Sequence, residues 1–285
     1  MKKNRMMRLA SSLLVLTLLT TCVISGTFAK YTTQAGGSDT ARVAKWGVEV
    51  AASGSLFATT YATDDANATT ITNSVESSND NEVVAPGTKS DKGITFEIKG
   101  TPEVAVRVDV KVTDVQDQAV KDIFLGAGTY ADLTTGDRVD TKDGTSSTVG
   151  DKDVFTVANE YHPIKYTLRD GANKTLLEDV TLSQVEAYFK NLSGDYAAKT
   201  DLATELGKNQ TKSTDGKYIL TWAWDFPETE NADTDKKDTL LGNLAANSSI
   251  KAKKDNSTGN FTELADTDFS TTTDIKIEIS VTQID

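Results

Sequence analysis

The chain has 285 residues, of which 42 are Asp or Glu and 30 are Lys or Arg, and its formal net charge at pH 7 is −12. This acidic balance argues against a nucleic-acid-binding protein, because neutralising phosphates requires clustered Lys and Arg. A single Cys and a single His exclude a disulfide framework, a Cys-rich structural zinc site and any zinc site that needs two imidazoles.

Residues 1–29 have the three parts of a secretory signal peptide. Basic residues come first, an apolar run follows over residues 9–24, and small side chains stand at Thr27 and Ala29. We therefore predict cleavage between Ala29 and Lys30, which would remove four positive charges from the mature chain. The exported protein would then have no permanent membrane span.

Two alternatives to this cleavage remain open at the level of sequence. The apolar run would serve as an uncleaved signal anchor if the peptidase did not act. Residues 19–22, Leu-Thr-Thr-Cys, loosely resemble a lipoprotein box, which would make Cys22 a lipidated N-terminus. Thr21 is larger than the usual Gly or Ala before such a Cys, and apolar residues follow where a polar tether is expected.

Alternating hydrophobic patterns predict antiparallel strands along most of the mature chain. Between residues 104 and 112, five valines share one face, and Arg107, Asp109 and Lys111 lie on the other. One buried and one solvated face is typical of a β-sandwich. Further strands are predicted at residues 41–51, 94–98, 153–157, 161–168 and 275–281.

An aromatic stripe runs along a predicted strand near residue 220. The side chains that share one face of this strand are those of Tyr218, Leu220, Trp222, Trp224 and Phe226. A stripe with strand spacing predicts a core strand. The alternative is a platform on which sugars stack, which requires exposed rings.

Helical spacing appears mainly in residues 174–207, which we predict to be a small helical insertion. Ser183 followed by Glu186 indicates a capping box, and Gly194 ends that helix. Asp195 would begin a second short helix that stops near Gly207. A third helical turn is predicted at residues 239–246, and surface loops at residues 63–82, 132–150 and 251–257. We therefore expect residues 30–285 to form a single β-sandwich domain.

The sequence predicts no catalytic residue and no cofactor site. It contains no zinc-protease helix motif, nucleophile elbow, Walker loop or dinucleotide fingerprint. His162 lies between Tyr161 and Pro163 at the start of a predicted strand, where a structural role is expected.

The acidic stretch at residues 225–238 is a weak candidate for a Ca²⁺ site. Asp233, Asp235 and Asp238 supply oxygen ligands at short spacing, but the glycine and the closing Glu of an EF-hand are missing. The alternative is a solvated acidic loop.

Several short segments resemble one known family. Residues 26–31, Gly-Thr-Phe-Ala-Lys-Tyr, and residues 38–46, Ser-Asp-Thr-Ala-Arg-Val-Ala-Lys-Trp, resemble the SipW-dependent signal region of Gram-positive bacteria. Residues 84–88 and 238–242 are similar to motifs of the TasA/camelysin family of biofilm matrix proteins. Residues 113–153 and the helical insertion differ most from the family.

The resemblance implies a jelly-roll-like sandwich that is exported through a SipW-type signal peptidase and self-associates into extracellular fibres. A matrix accessory protein would be a further partner. In that family an N-terminal segment inserts as a strand into the next subunit. Here residues 30–44 would be the donor-strand arm, with Tyr31, Ala41 and Val43 among its side chains. The alternative is that this segment forms the first strand of its own sandwich.

The sequence leaves two alternatives to a fibre subunit on the surface or in the matrix of a Gram-positive bacterium. One is a cell-surface adhesin that binds glycan or a partner through Trp222, Trp224 or the acidic loops. The other is a hydrolase such as the camelysin-type peptidase, which the sequence disfavours because the usual metal ligands are missing.

Overall fold

A computed structural model describes residues 42–63, 69–133, 154–226, 232–246, 250–255, 257 and 261–284. The chain divides into two compact units, Met1–Trp46 and Gly47–Asp285. All the described strands and helices belong to the second unit. They are β1 (Val48–Ser55), β2 (Thr60–Ala62), β3 (Asn73–Glu76), β4 (Thr88–Lys89), β5 (Gly93–Gly100), β6 (Val106–Thr113), β7 (Phe124–Leu125), β8 (Gly128–Leu133), β9 (Val154–Val157), β10 (Lys165–Arg169), β11 (Thr175–Val180), α1 (Leu182–Lys190), β12 (Gly194–Tyr196), α2 (Leu202–Glu205), β13 (Lys217–Trp224), α3 (Ala232–Ala246), β14 (Ile250–Lys254), β15 (Phe261–Glu263), β16 (Phe269–Ser270) and β17 (Lys276–Gln283).

The described strands form antiparallel sheets, which confirms the predicted mainly β fold. The largest sheet has six strands in the order β1-β5-β13-β10-β11, with β4 also paired to β13. A second sheet has the order β12-β6-β17, and a third has the order β15-β14-β8-β9. Two further pairs, β7 with β16 and β2 with β3, complete the described sheets.

One hydrophobic core joins the six-stranded and three-stranded sheets. Every second residue of β6 and of β13 is buried, as their period of two predicts. Helix α1 contacts β6, β10 and β11 and adds its own apolar face to the same core. The buried residues of these three elements are Val106, Val108, Val110, Val112, Leu182, Val185, Tyr188, Phe189, Tyr218, Leu220, Trp222 and Trp224.

Residues 174–207 contain helices α1 and α2, but also two strands that the sequence did not predict. Residues Thr175–Val180 form β11 and pair with β10. Asp195 lies in β12, where its carboxylate accepts two hydrogen bonds from Arg107 of β6, at 2.7 and 3.1 Å. The predicted helix start at Asp195 is therefore wrong, because pairing with the edge of β6 outweighs the local helical pattern.

The cap of helix α1 also lies two residues before its predicted position. Thr181 is the N-cap, and its backbone N–H donates to the side chain of Gln184 at 2.9 Å. Glu186 forms an ion pair with Lys190 one turn later. Leu182, which was expected before the helix, is its first residue and is fully buried.

Three other boundaries differ from the prediction. Helix α3 begins at Ala232, seven residues before the predicted residue 239. Parts of two predicted loops are strands, namely β3 and β14. The first strand covers Val48–Ser55 where residues 41–51 were predicted.

Glycines allow β1 and β5 to approach closely at both ends of their pairing. Gly100 has a φ of +124°, and an added Cβ would lie 1.9 Å from the carbonyl oxygen of Gly47. Gly54 has a φ of +97°, and its Cβ would lie 2.3 Å from the carbonyl oxygen of Gly93. No other residue type fits these positions without moving the backbone.

Candidate functional site

Strand β1 is an unusually exposed edge strand. It pairs with β5 along all eight residues, from Val48 opposite Gly100 to Ser55 opposite Gly93. Seven of its eight residues are exposed, including Val50 at 43%. Among the described strands none pairs with its outer edge, so alternate backbone N–H and C=O groups along that edge are open to further pairing.

Strand β1 has few of the usual protections of an edge strand. Its register with β5 is continuous, without a bulge, and it contains neither Pro nor Lys. Its one charged residue, Glu49, forms an ion pair with Lys99 at 3.4 Å. Natural sheets normally protect such edges with bulges, Pro or charges, because an open strand templates pairing with another chain.

The other two long edges are better protected. Strand β11 shows two register irregularities against β10. Strand β17 carries Lys276 and Glu278, which form an ion pair at 3.0 Å. Strand β1 is therefore the described edge best suited to accept a further strand.

The predicted arm and cleavage residues lie mostly outside the described residues. Thr27, Ala29, Lys30, Tyr31 and Ala41 all precede residue 42. Val43 is described, and 70% of it is exposed. The cleavage site and the donor role of residues 30–44 remain predictions.

The aromatic stripe of β13 forms part of the core for most of its length. Tyr218, Trp222 and Trp224 are buried, which confirms the core interpretation and removes these two Trp rings as a sugar-stacking platform. The indole N–H of Trp222 donates to the carbonyl of Leu56 at 2.6 Å. Phe226 lies beyond the end of the strand and is 66% exposed, contrary to the predicted stripe.

The three acidic candidates for Ca²⁺ do not share one environment. Asp233 and Asp235 are exposed in the first turn of α3, whereas Asp238 is only 8% exposed. The Asp238 carboxylate accepts a hydrogen bond of 2.6 Å from the hydroxyl of Tyr161. Burial raises the pKa of Asp238, and the hydrogen bond from Tyr161 opposes that rise. The sequence indicates Asp238 only as a Ca²⁺ candidate and does not indicate its burial or its bond to Tyr161, because that partner is distant in the chain.

His162 has carboxylates on both of its ring nitrogens. Nδ1 lies 3.0 Å from Oδ2 of Asp122, and Nε2 lies 3.6 Å from Oε2 of Glu160. The hydrogen bond to Asp122 raises the pKa of His162, although burial partly opposes the shift. The structural role of His162 stays a prediction.

We expect the contribution of His162 to stability to depend on pH. Because its folded pKa is raised, that contribution is fully present below the unfolded pKa of about 6.5 and is lost as pH rises through the folded pKa. Chemical denaturation of the wild type and of His162→Gln should therefore give a larger difference in unfolding free energy at about pH 5.5 than at about pH 9. Asp122→Asn should reduce this pH dependence as well, and a difference that is constant with pH would contradict the assignment.

Within the residues that the structure describes, no group of three or more His, Cys, Asp or Glu side chains is arranged to hold a metal ion. None of the described helices is both long and apolar enough to cross a membrane. No protein-family model, no curated protein and no solved structure matches the chain.

Proposed function

We propose that this protein is an exported structural protein, the subunit of an extracellular fibre that assembles by strand donation. The N-terminal arm, residues 30–44, of one subunit would pair with an open sheet edge of the next. The protein would lie in the matrix or on the surface of a Gram-positive bacterium, and a SipW-type peptidase would release the arm at Lys30.

The single observation that best supports this proposal is the long, exposed and sparsely protected edge of β1. Strand addition at such an edge gains a row of main-chain hydrogen bonds that no side chain needs to provide. The small residues of its second half, from Ala51 to Ser55, leave room for a neighbouring strand on both faces. A protein that remained monomeric would be expected to protect this edge.

The geometry of strand donation also explains why assembly would give a fibre and not a closed dimer. The donor segment and the acceptor edge are different surfaces of the subunit, so the contact is heterologous. Each added subunit brings a new acceptor edge, and such contacts form open filaments unless the rotation between subunits closes a ring. Net negative charge opposes non-specific association, so a specific contact is needed.

Proline substitutions in β1 test whether its outer edge is the acceptor. Neighbouring residues of an edge strand direct their N–H groups alternately toward the partner strand and outward. Of Ala51→Pro and Ala52→Pro, one therefore removes an N–H that bonds β5, and the other removes an outward N–H. The variant that loses the N–H bonded to β5 should have an unfolding free energy lower by about 1–3 kcal/mol. The variant that loses the outward N–H should keep nearly the stability of the wild type but should not form fibres.

The two prolines act as controls for each other, since they differ by one position in the same strand. Stability is measured by denaturant unfolding, and assembly by sedimentation of the polymer. If the stable proline variant assembles as well as the wild type, β1 is not the acceptor edge.

A further inference from the structure

One side of strand β1 faces the core but is only partly covered. Directly opposite residues of an antiparallel pair point to the same side of the sheet. Val50 lies opposite Ile98 and Ala52 lies opposite Phe96, and both of these β5 residues are buried in the core. Nevertheless, 43% of Val50 is exposed. The core side of β1 therefore presents apolar surface that a further strand would cover.

Side-chain size falls along this side of β1. The residues that share it are, in chain order, Val48, Val50, Ala52 and Gly54. A strand that pairs with the outer edge would meet the largest side chains at the start of β1 and open space at Gly54. Its own largest side chain should therefore lie beside Gly54, since an aromatic ring can cover a glycine of an edge strand.

A cavity of about 420 Å³ lies at this end of β1. Gly54 and Ser55 line it together with the half-buried rings of Phe57 and Tyr61. Both rings pack against Trp222, so these walls of the cavity are fixed by the core. A pocket of this kind is typical of the sites that receive one aromatic anchor of a partner.

The first eight residues after the predicted cleavage site fit this edge when they run antiparallel to β1. Lys30–Gly37 equals β1 in length and ends in two glycines, which are poor strand formers. In the register that places Tyr31 beside Gly54, each larger side chain of the core side meets a smaller one. The pairs on this side are Tyr31 with Gly54, Thr33 with Ala52, Ala35 with Val50 and Gly37 with Val48.

A parallel arm does not fit the edge in this way. With Tyr31 beside Val48, two large side chains would meet at the start of the strand, and Gly37 would lie beside Gly54 with the cavity unfilled. Antiparallel pairing leaves residues 38–46 to connect the arm to its own subunit, and their extended length is about 30 Å.

We infer that the arm of one subunit runs antiparallel to β1 of the next, with Tyr31 in the cavity beside Gly54. This inference rests on the proposed strand donation and adds its direction, register and anchor. Tyr31 is the one aromatic residue of the arm, residues 30–44.

Disulfide trapping in the exported chain, residues 30–285, tests the direction and the register. That chain contains no Cys, because Cys22 precedes the cleavage site. Thr32 and Ser53 would lie directly opposite each other on the solvent side, within the Cα separation of about 4.4–6.8 Å that a disulfide requires. A chain with Thr32→Cys and Ser53→Cys should therefore give covalent multimers that a reducing agent separates.

The matched control is a chain with Thr32→Cys and Glu49→Cys. Glu49 lies on the same side of β1 as Ser53 but near the other end, where a parallel arm would bring Thr32. On a denaturing gel this control should remain monomeric.

Substitution of Tyr31 tests the anchor. Tyr31→Ala should raise the concentration needed for assembly at least about tenfold. Tyr31→Phe should assemble as the wild type does, because it keeps the ring. Thr32→Ala, on the solvent side, is the control and should also assemble normally. All three positions precede the compact unit Gly47–Asp285, so the melting temperatures should be unchanged.

These measurements separate the inference from the proposed function. Fibres that give no Thr32–Ser53 crosslink, fibres that give the Thr32–Glu49 crosslink, or normal assembly of Tyr31→Ala would overturn the inference and leave strand donation standing. A chain of residues 30–285 that does not assemble at any concentration would overturn both.

Discussion

Replacing Trp222 with Ala is expected to lower the free energy of unfolding by about 3–5 kcal/mol. Trp222 is 2% exposed, and its ring packs against Phe57 and Tyr61 with centroids 5.5 and 5.9 Å away. The truncation also leaves the carbonyl of Leu56 without the indole N–H that bonds it at 2.6 Å. Trp222 therefore holds residues 56–61 against the six-stranded sheet as well as filling the core.

Denaturant unfolding followed by circular dichroism measures this loss. Phe226→Ala is the matched control, because Phe226 continues the same aromatic pattern but is exposed. Its substitution should change stability by no more than about 0.5 kcal/mol. A cost below about 1 kcal/mol for Trp222→Ala would contradict its place in the core.

Deleting residues 30–44 is expected to convert an assembling protein into a monomer. The deletion leaves the compact unit Gly47–Asp285 intact, so the subunit itself should fold as before. It removes the proposed donor strand, in which Tyr31, Ala41 and Val43 fall on one face at strand spacing. Without that strand the open edge of β1 has no partner among the described strands, and the net negative charge of the chain opposes other contacts.

Sedimentation velocity measures this change, with an unfolding curve to establish that the shortened chain is folded. A chain in which the order of residues 30–44 is scrambled keeps the length, composition and charge of the arm. It should assemble poorly, because Tyr31, Ala41 and Val43 would no longer share one face of the donor strand. Assembly of the scrambled chain at the wild-type level would argue against a specific donor strand.

The sequence allowed the core strands to be predicted because their hydrophobic period is unbroken. In β6 and β13 every second residue is buried, and the alternation is a direct consequence of the pleat. One error lies where long-range pairing outweighs a local pattern. Asp195 follows a helix and precedes helix-forming residues, yet pairing with β6 places it in β12.

The features of the candidate site were harder to predict. The composition of residues 48–55 indicates small and polar side chains, but not that both faces of β1 are exposed. In the sequence Asp238 is only one of several neighbouring acids, because nothing local to it indicates that Tyr161, 77 residues away, bonds its carboxylate. Alternation within a strand can be read from the sequence, whereas an edge position or a distant polar partner depends on the tertiary fold.

The measurement that tests the fibre proposal most directly is negative-stain electron microscopy of two chains at equal concentration. One comprises residues 30–285, and the other residues 45–285. Strand donation predicts fibres from the longer chain and single particles from the shorter one. Fibres from both chains, or from neither across neutral and mildly acidic pH, would contradict it.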